Sequence, residues 1–212
     1  MKRLFWTLVT IDSLWIVLHL LLGSRLALFH LEGERTFPAF WSGWQLLAVG
    51  YLGVAMLMLL WQSERSERPL WMLWSGLFTY LGFDEISELH ENITYYFNKA
   101  FKLISVFEHP TFNWLLLLSP FILFALIFFV VFLRYWIKQR RRVGVWFAAG
   151  VVCFVAALSL ELFGAMIYKL PIYRQWGIYI VEEFLEMLGA SIFLSTLSCV
   201  FRERFNALYA HR

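Results

Sequence analysis

The chain has 212 residues, of which 61% are hydrophobic, 20% aromatic and only 16% charged, and its mean hydropathy is +0.66. A soluble globular chain is about 45–50% apolar and about 25% charged, so this composition excludes a water-soluble domain, a disordered chain, collagen, a coiled coil and a small disulfide scaffold. What remains is an integral membrane protein, whose formal charge of +3 is too small to imply a nucleic-acid partner.

The first apolar stretch, Leu4–Leu22, follows Lys2 and Arg3 and has the outline of a signal peptide. Its apolar region is too long for that and contains Asp12 and His19, so it reads as a retained helix. Five more stretches follow: Phe40–Trp61, Leu70–Glu91, Trp114–Trp136, Val145–Tyr168 and Gly177–Phe201. Each of the six is 19 to 25 residues long, enough to cross about 30 Å of hydrocarbon as a helix. A β-barrel would need alternating segments that this sequence lacks. The expected fold is therefore all-α, one domain over 1–212, with six transmembrane helices.

Basic residues set the expected orientation. Lys2 and Arg3, then Arg65 and Arg68, then Lys138 and Arg140 to Arg142, then Arg202, Arg204 and Arg212 all fall on one side of a six-span bundle. The other side carries Arg25 and Arg35, Lys99 and Lys102, and Lys169 and Arg174, spread over longer connections. The positive-inside rule makes the first side cytoplasmic, giving both termini inside a bacterial plasma membrane. Phe97, Phe101, Ile104 and Phe107 recur at helical spacing. They predict either an amphipathic helix on the outer surface or a continuation of the third span. Trp41, Trp44, Trp61, Trp71, Trp74, Trp114 and Trp136 flank spans and read as interfacial anchors. Cys153 and Cys199 lack metal-motif spacing and read as small packing residues.

The acids carry the functional signal. Nine of the fifteen Asp and Glu fall inside the expected spans: Asp12, Asp84, Glu85, Glu88, Glu91, Glu161, Glu182, Glu183 and Glu186. Each costs about 2.5–3.5 kcal/mol on insertion scales and so requires a cause. At about 1.5 Å per residue, Asp84 stands roughly 21 Å and Glu161 roughly 24 Å above the cytoplasmic ends of their helices. By the same rise, Glu182, Glu183 and Glu186 lie roughly 8–14 Å below the outer boundary. His19 also falls in the outer half. Opposite chain directions thus bring residues of several helices to one depth. At about 100° per residue, Asp84, Glu88 and Glu91 share an arc, with His90 and Glu85 on its flanks. Tyr179, Glu183 and Glu186 form one stripe with Glu182 adjacent, and Asp12 and His19 share a face. Because the second and fourth spans hold almost no acid, they are expected outside a bundle of the first, third, fifth and sixth.

No Lys or Arg stands at that depth in these four helices, and two carboxylates about 4 Å apart repel by about 4 kcal/mol at an effective dielectric of about 20. Bound cations, shared protons or a water-filled vestibule each answer this. His19 and His90 favour a metal, and a carboxylate-rich set with one or two His suits Mn, Fe or Zn. Asp84, Glu88, His90, Glu91, Glu161, Glu183, Glu186 and His19 are the candidate ligands. Glu182 is the candidate general base, and Tyr179 a ligand-orienting or proton-donating group.

The strings Phe83-Asp-Glu-Ile-Ser-Glu-Leu-His-Glu91, Leu160-Glu-Leu-Phe-Gly164 and Val181-Glu-Glu-Phe-Leu-Glu-Met-Leu-Gly189 resemble a group of uncharacterised bacterial multi-pass membrane proteins. That group is marked by DE…HE, then E with a nearby Gly, then EE…EM.G. The resemblance implies Asp84, Glu85, His90, Glu91, Glu161, Glu182, Glu183 and Glu186 as core residues, and implies no activity. The paired Glu-x-x-His of di-iron bundles is absent, since Ser87 and Ile16 stand three before His90 and His19. Three functions follow: a metal-dependent enzyme on a lipid or other membrane-soluble substrate, a cation- or proton-coupled transporter, or an accessory subunit whose acids a partner neutralises.

Overall fold

The computed structural model describes residues 1–31, 36–61, 65–101, 110–167 and 172–210. Every long element among them is helical: α1 Lys2–Leu18, α2 Phe37–Leu59, α3 Arg68–Ser87, α4 Leu89–Phe101, α5 Pro110–Gln139, α6 Arg141–Met166 and α7 Ile172–Tyr209. Five segments are long and apolar enough to cross a membrane: Lys2–Gly23, Phe37–Leu59, Asn113–Gln139, Arg141–Gly164 and Gly177–Leu208. The expected third span is not one of them. It ends at Ser87, four residues short of Glu91, and α4 begins as a separate helix. Of the stripe expected there, Ile104 and Phe107 lie outside the described residues, as do Arg35, Lys102 and Lys169.

Local chemistry explains several boundaries. Thr36 caps α2 by accepting from the Ala39 N–H, with Pro38 in the first turn where no donor is missed. Pro120 inside α5 cannot donate to the Leu116 carbonyl, and the Ser119 hydroxyl donates to it instead at 2.8 Å, so the helix runs on. After α1 the chain makes a π-helical turn over His19–Gly23. A side chain at Gly23 would meet His19 Nδ1 at 2.7 Å, so the residue must be glycine for the imidazole to fold inward.

Acid content proved a poor guide to which helices lie inside. α2 packs along α3 and α7, α5 packs on α6 and α3, and α1 touches chiefly α7. Glycine makes the α2–α3 approach close: a Cβ on Gly82 would stand 2.9 Å from the Gly43 carbonyl oxygen. Small residues at a helix contact give van der Waals packing that lipid cannot match. The arrangement expected from the sequence is therefore corrected in part: α2 is interior and α1 is peripheral, with Leu14, Leu20 and Leu21 exposed, while α5 lies on the outside as expected, with Leu116, Leu123 and Ile127 exposed.

Aromatic rings fill the interior toward the end that holds the basic residues. Trp74 stacks on Phe132 at 4.3 Å and lies edge-on to Phe147 and Phe193. Such pairs each add about 0.5–1.5 kcal/mol to burial. Trp71, Trp74 and Trp136 belong to this core rather than to an interfacial belt, whereas Trp44 and Trp61 are exposed as anchors require. Helix ends gather here as the charge pattern predicts. Arg140 pairs with Glu203, Arg204 donates to Glu67 at 3.1 Å, and the Phe5 ring meets Trp146. Cys153 packs beside Gly189, while Cys199 Sγ lies 3.5 Å from Glu203 Oε1.

Candidate metal centre

The site begins with a break. Glu88 adopts the left-handed conformation, φ 52° and ψ 42°, and is the one non-glycine residue with positive φ among those described. That conformation costs a non-glycine residue roughly 1–2 kcal/mol. Local bonds offset it: the Glu88 N–H donates to the Asp84 carbonyl at 2.7 Å, and Asn92 Nδ2 donates to the Ser87 and Glu88 carbonyls. The break turns His90 back over Asp84. Asp84 Oδ1 accepts from the His90 backbone N–H at 2.8 Å, and Oδ2 lies 2.9 Å from His90 Nδ1. A carboxylate at the first turn of α4 also meets the positive end of its dipole.

Around this hinge α3, α5, α6 and α7 enclose a cavity of about 320 Å³. Asp84, Glu85, Glu161, Glu182, Glu183 and Glu186 line it together with His90 and Trp114. Trp114 Nε1 donates to Glu161 Oε1 at 3.2 Å, and its ring lies 4.7 Å from that of His90. Trp114 is thus a wall of the site rather than the anchor its position suggested. Among the described lining residues there is no lysine or arginine. Glu85, Glu183 and Glu186 each place a carboxylate oxygen within 4.8 Å of the other two. Two oxygens on opposite sides of an ion at about 2.0–2.2 Å lie up to about 4.4 Å apart, so small rotamer shifts would close this set on one ion.

The sequence-derived candidates divide as follows. Asp84, His90, Glu161, Glu182, Glu183 and Glu186 converge. Tyr179, one turn before Glu183, lies beside that carboxylate without lining the cavity. Glu85, expected on a flank, is at the centre, as the resemblance implied. Glu88 does not line the cavity, because its left-handed backbone ends the arc it was to share with Asp84. The Glu91 side chain lies outside the described set. His19 is elsewhere: it is 3% exposed, its Nδ1 accepts the Leu31 N–H at 3.1 Å, and its ring meets His30 at 5.0 Å. It holds the segment after α1 in place and is not part of the acidic site.

Asp12 is also separate. It is fully buried, and three neutral donors reach it: Trp41 Nε1 at 2.8 Å, Gln45 Nε2 at 2.9 Å and Ser191 Oγ at 2.7 Å. This joins α1, α2 and α7 around a carboxylate whose hydrogen-bonding capacity is well met.

A family model described as a domain of unknown function (DUF8692) matches residues 4–201. No curated protein and no solved structure matches the chain.

Proposed function

The chain belongs to the DUF8692 family, and we propose that it is a six-span membrane protein holding a divalent metal in the outer half of the bilayer. The observation that carries this is the mutual approach of Glu85, Glu183 and Glu186 to within 4.8 Å, with no lysine or arginine among the described residues that line the cavity. α3 serves as the sixth span: its 20 residues reach about 30 Å, and burial against α2 and α5 spares it the apolar surface that lipid demands. Both termini then lie in the cytoplasm with the gathered basic residues, in a bacterial plasma membrane.

Glu85, Glu183 and Glu186 are the ligands. Both oxygens of Asp84 are engaged by His90, so Asp84 acts as a positioning residue. The contact of Asp84 Oδ2 with Nδ1 orients the His90 ring, the arrangement by which a carboxylate readies a histidine for a metal. Zn, Fe or Mn suits this donor set. The metal would polarise a carbonyl or activate a water, with Glu182 as general base and Tyr179 orienting Glu183. The substrate is drawn from the membrane. Against a transport path, the cavity's deep end is lined by Leu46, Leu77, Phe129 and Val151, with the Trp74 aromatic core beyond.

Elemental analysis of purified protein tests the reading. Stoichiometric Zn, Fe or Mn, lost in Glu183→Ala, is the expected result. Metal-free, folded wild-type protein would refute it, and uptake of a labelled cation into proteoliposomes would make it a transporter.

A further inference from the structure

Asp12 is a buried acid outside the acidic cavity. Inserting a carboxylate costs about 2.5–3.5 kcal/mol, and an apolar residue would pack α1 on α7 without that cost. What the acid adds is direction. Its Oδ1 accepts from Trp41 Nε1 at 2.8 Å and from Gln45 Nε2 at 2.9 Å, and its Oδ2 accepts from the Ser191 hydroxyl at 2.7 Å. Gln45 Nε2 also donates to Ser191 Oγ at 3.0 Å. These bonds fix the rotation of α2, which its contact with α3 does not: that contact runs through Gly43, Gly50 and Gly53, where α2 offers no side chain to interlock. Ser42 lies between the two residues that Asp12 holds, about 60° round the helix from Gln45. It is 2% exposed, and its hydroxyl completes no hydrogen bond within the chain. The group it stands beside is the Glu85 carboxylate. Packing agrees, since a Cβ on Gly43, the next residue, would run into Ile86, the residue after Glu85.

We propose that Ser42 sets the Glu85 carboxylate in the acidic site, and that Asp12 acts on the site from outside it by holding α2 turned so that this hydroxyl meets Glu85. The effect on a bound ion rests on the metal-site reading; the contact itself rests on packing alone. A carboxylate that ligates an ion is held in turn by a donor on its other side. Tyr179 stands beside Glu183 in this way, and Ser42 does so for Glu85 from a helix that brings no acid to the cavity. When small rotamer shifts close the three carboxylates on an ion, the Ser42 hydroxyl completes its bond to Glu85, and a buried polar group is no longer left unmet. Asp12 touches no ligand and is a positioning residue. Through Ser191 it also bolts α2 to α7, the helix that carries Glu183 and Glu186. Directional bonds of this kind fix one register among several that apolar packing would allow.

Titration of the full-length protein in detergent with Mn²⁺, read by the paramagnetic resonance signal of the free ion, tests this. Ser42→Ala is expected to weaken binding about tenfold, within the usual range for a group that orients a metal ligand. Asp12→Ala should weaken it as much, and added to Ser42→Ala it should cost nothing further. Asp12→Asn should stay within about twofold of the wild type, because its amide keeps partners in Trp41, Gln45 and Ser191. Ser75→Ala removes a buried hydroxyl bonded to the Trp71 carbonyl at 2.7 Å; it controls for general loosening and should leave the affinity unchanged. Wild-type affinity in Ser42→Ala would overturn the proposal. So would a loss in Asp12→Ala that persists in full on the Ser42→Ala background. After EDTA treatment, a cycle of Ser42→Ala and Glu85→Ala read by melting temperature reports the contact without metal, and its shifts are expected to be non-additive. Non-additive shifts in a protein that binds no Mn²⁺ would sink the metal reading and leave the Ser42–Glu85 contact standing; Mn²⁺ binding with additive shifts would do the reverse.

Discussion

Replacing Glu183 with glutamine should raise the melting temperature of the EDTA-treated protein and abolish its response to metal. The sign follows from three carboxylates that approach to within 4.8 Å. At that distance and an effective dielectric of about 20, each ionised pair repels by about 3.5 kcal/mol. Glutamine keeps the shape and removes two of the three pairs, an upper limit of about 7 kcal/mol. Water in the cavity screens part of this, leaving about 1–3 kcal/mol of stabilisation. For a chain of this length about 1 kcal/mol moves the midpoint by about 2–4 °C, so a rise of about 3–10 °C is expected.

Metal reverses the order. An ion at 100 times its dissociation constant adds about 2.7 kcal/mol to the wild type, while the variant, short of a charged ligand, gains little. Melting curves in detergent, after EDTA and across a Mn²⁺ or Zn²⁺ titration, read both effects. Glu203→Gln is the control, since that acid pairs with Arg140 at the surface. If Glu183→Gln lowers the melting temperature without metal, and metal raises both proteins equally, the three carboxylates are satisfied from within the chain and the reasoning fails.

His90→Ala and Asp84→Asn should each weaken metal binding by about 10–100-fold, the usual loss when a ligand or its orienting carboxylate is removed, while Glu88→Gln should leave it unchanged; titration calorimetry reads all three. Asp12→Ala should destabilise the fold by about 1–3 kcal/mol, because hydrogen bonds inside membranes are worth about 0.6 kcal/mol on average and up to about 1.7. The Gln45–Ser191 bond at 3.0 Å survives that change. Asp12→Asn should cost under about 1 kcal/mol, since its amide oxygen still accepts from Trp41 and Gln45 and its NH₂ can donate to Ser191 Oγ; equal losses in chemical denaturation would contradict this. Arg204→Met, which takes the guanidinium away from Glu67 beside Tyr135 and Trp71, should cost about 3 kcal/mol, and adding Glu67→Gln should recover most of it.

Much of the site was legible because helix rise is nearly constant. Counting residues from span ends brought Asp84, Glu161, Glu182, Glu183 and Glu186 to one depth, and the structure joins them around one cavity. Angles were less transferable, since they assume an unbroken helix. No glycine or proline marks the break at Glu88; it is held by the Asn92 side chain, which no pattern rule flags. That one residue placed His90 over Asp84, removed Glu88 and displaced the predicted arc. The places of α1 and α2 were misread because acid was taken as the sign of an interior helix. The readable sign was instead the glycine row of α2, where Gly43 and Gly50 sit two turns apart and each meets α3. His19 and Asp12 found partners 12 to 179 residues away, a separation that helical periodicity does not address.

The bundle shows several ways to bury an acid, and the contrast between them bears on what the cavity holds. Asp12 is met by three neutral donors. Glu67 has the Arg204 guanidinium with Tyr135 and Trp71. Asp84 and Glu161 are met by His90 and Trp114. Each solution comes from within the chain. Glu85, Glu183 and Glu186, with Tyr179 beside Glu183, are turned toward one another at the end of a space large enough to hold a guest. Their counter-charge then has to be small enough to reach them. A partner's lysine or arginine would lose its hydration on entering a cavity walled largely by apolar residues such as Phe121, Phe129 and Phe154, at a cost of several kcal/mol. Proton sharing alone would need neither the volume nor a histidine readied by Asp84. A divalent ion accounts for the carboxylates, the imidazole and the cavity together, and it is the one occupant whose removal by a chelator should leave the other two buried acids, Asp12 and Glu67, undisturbed.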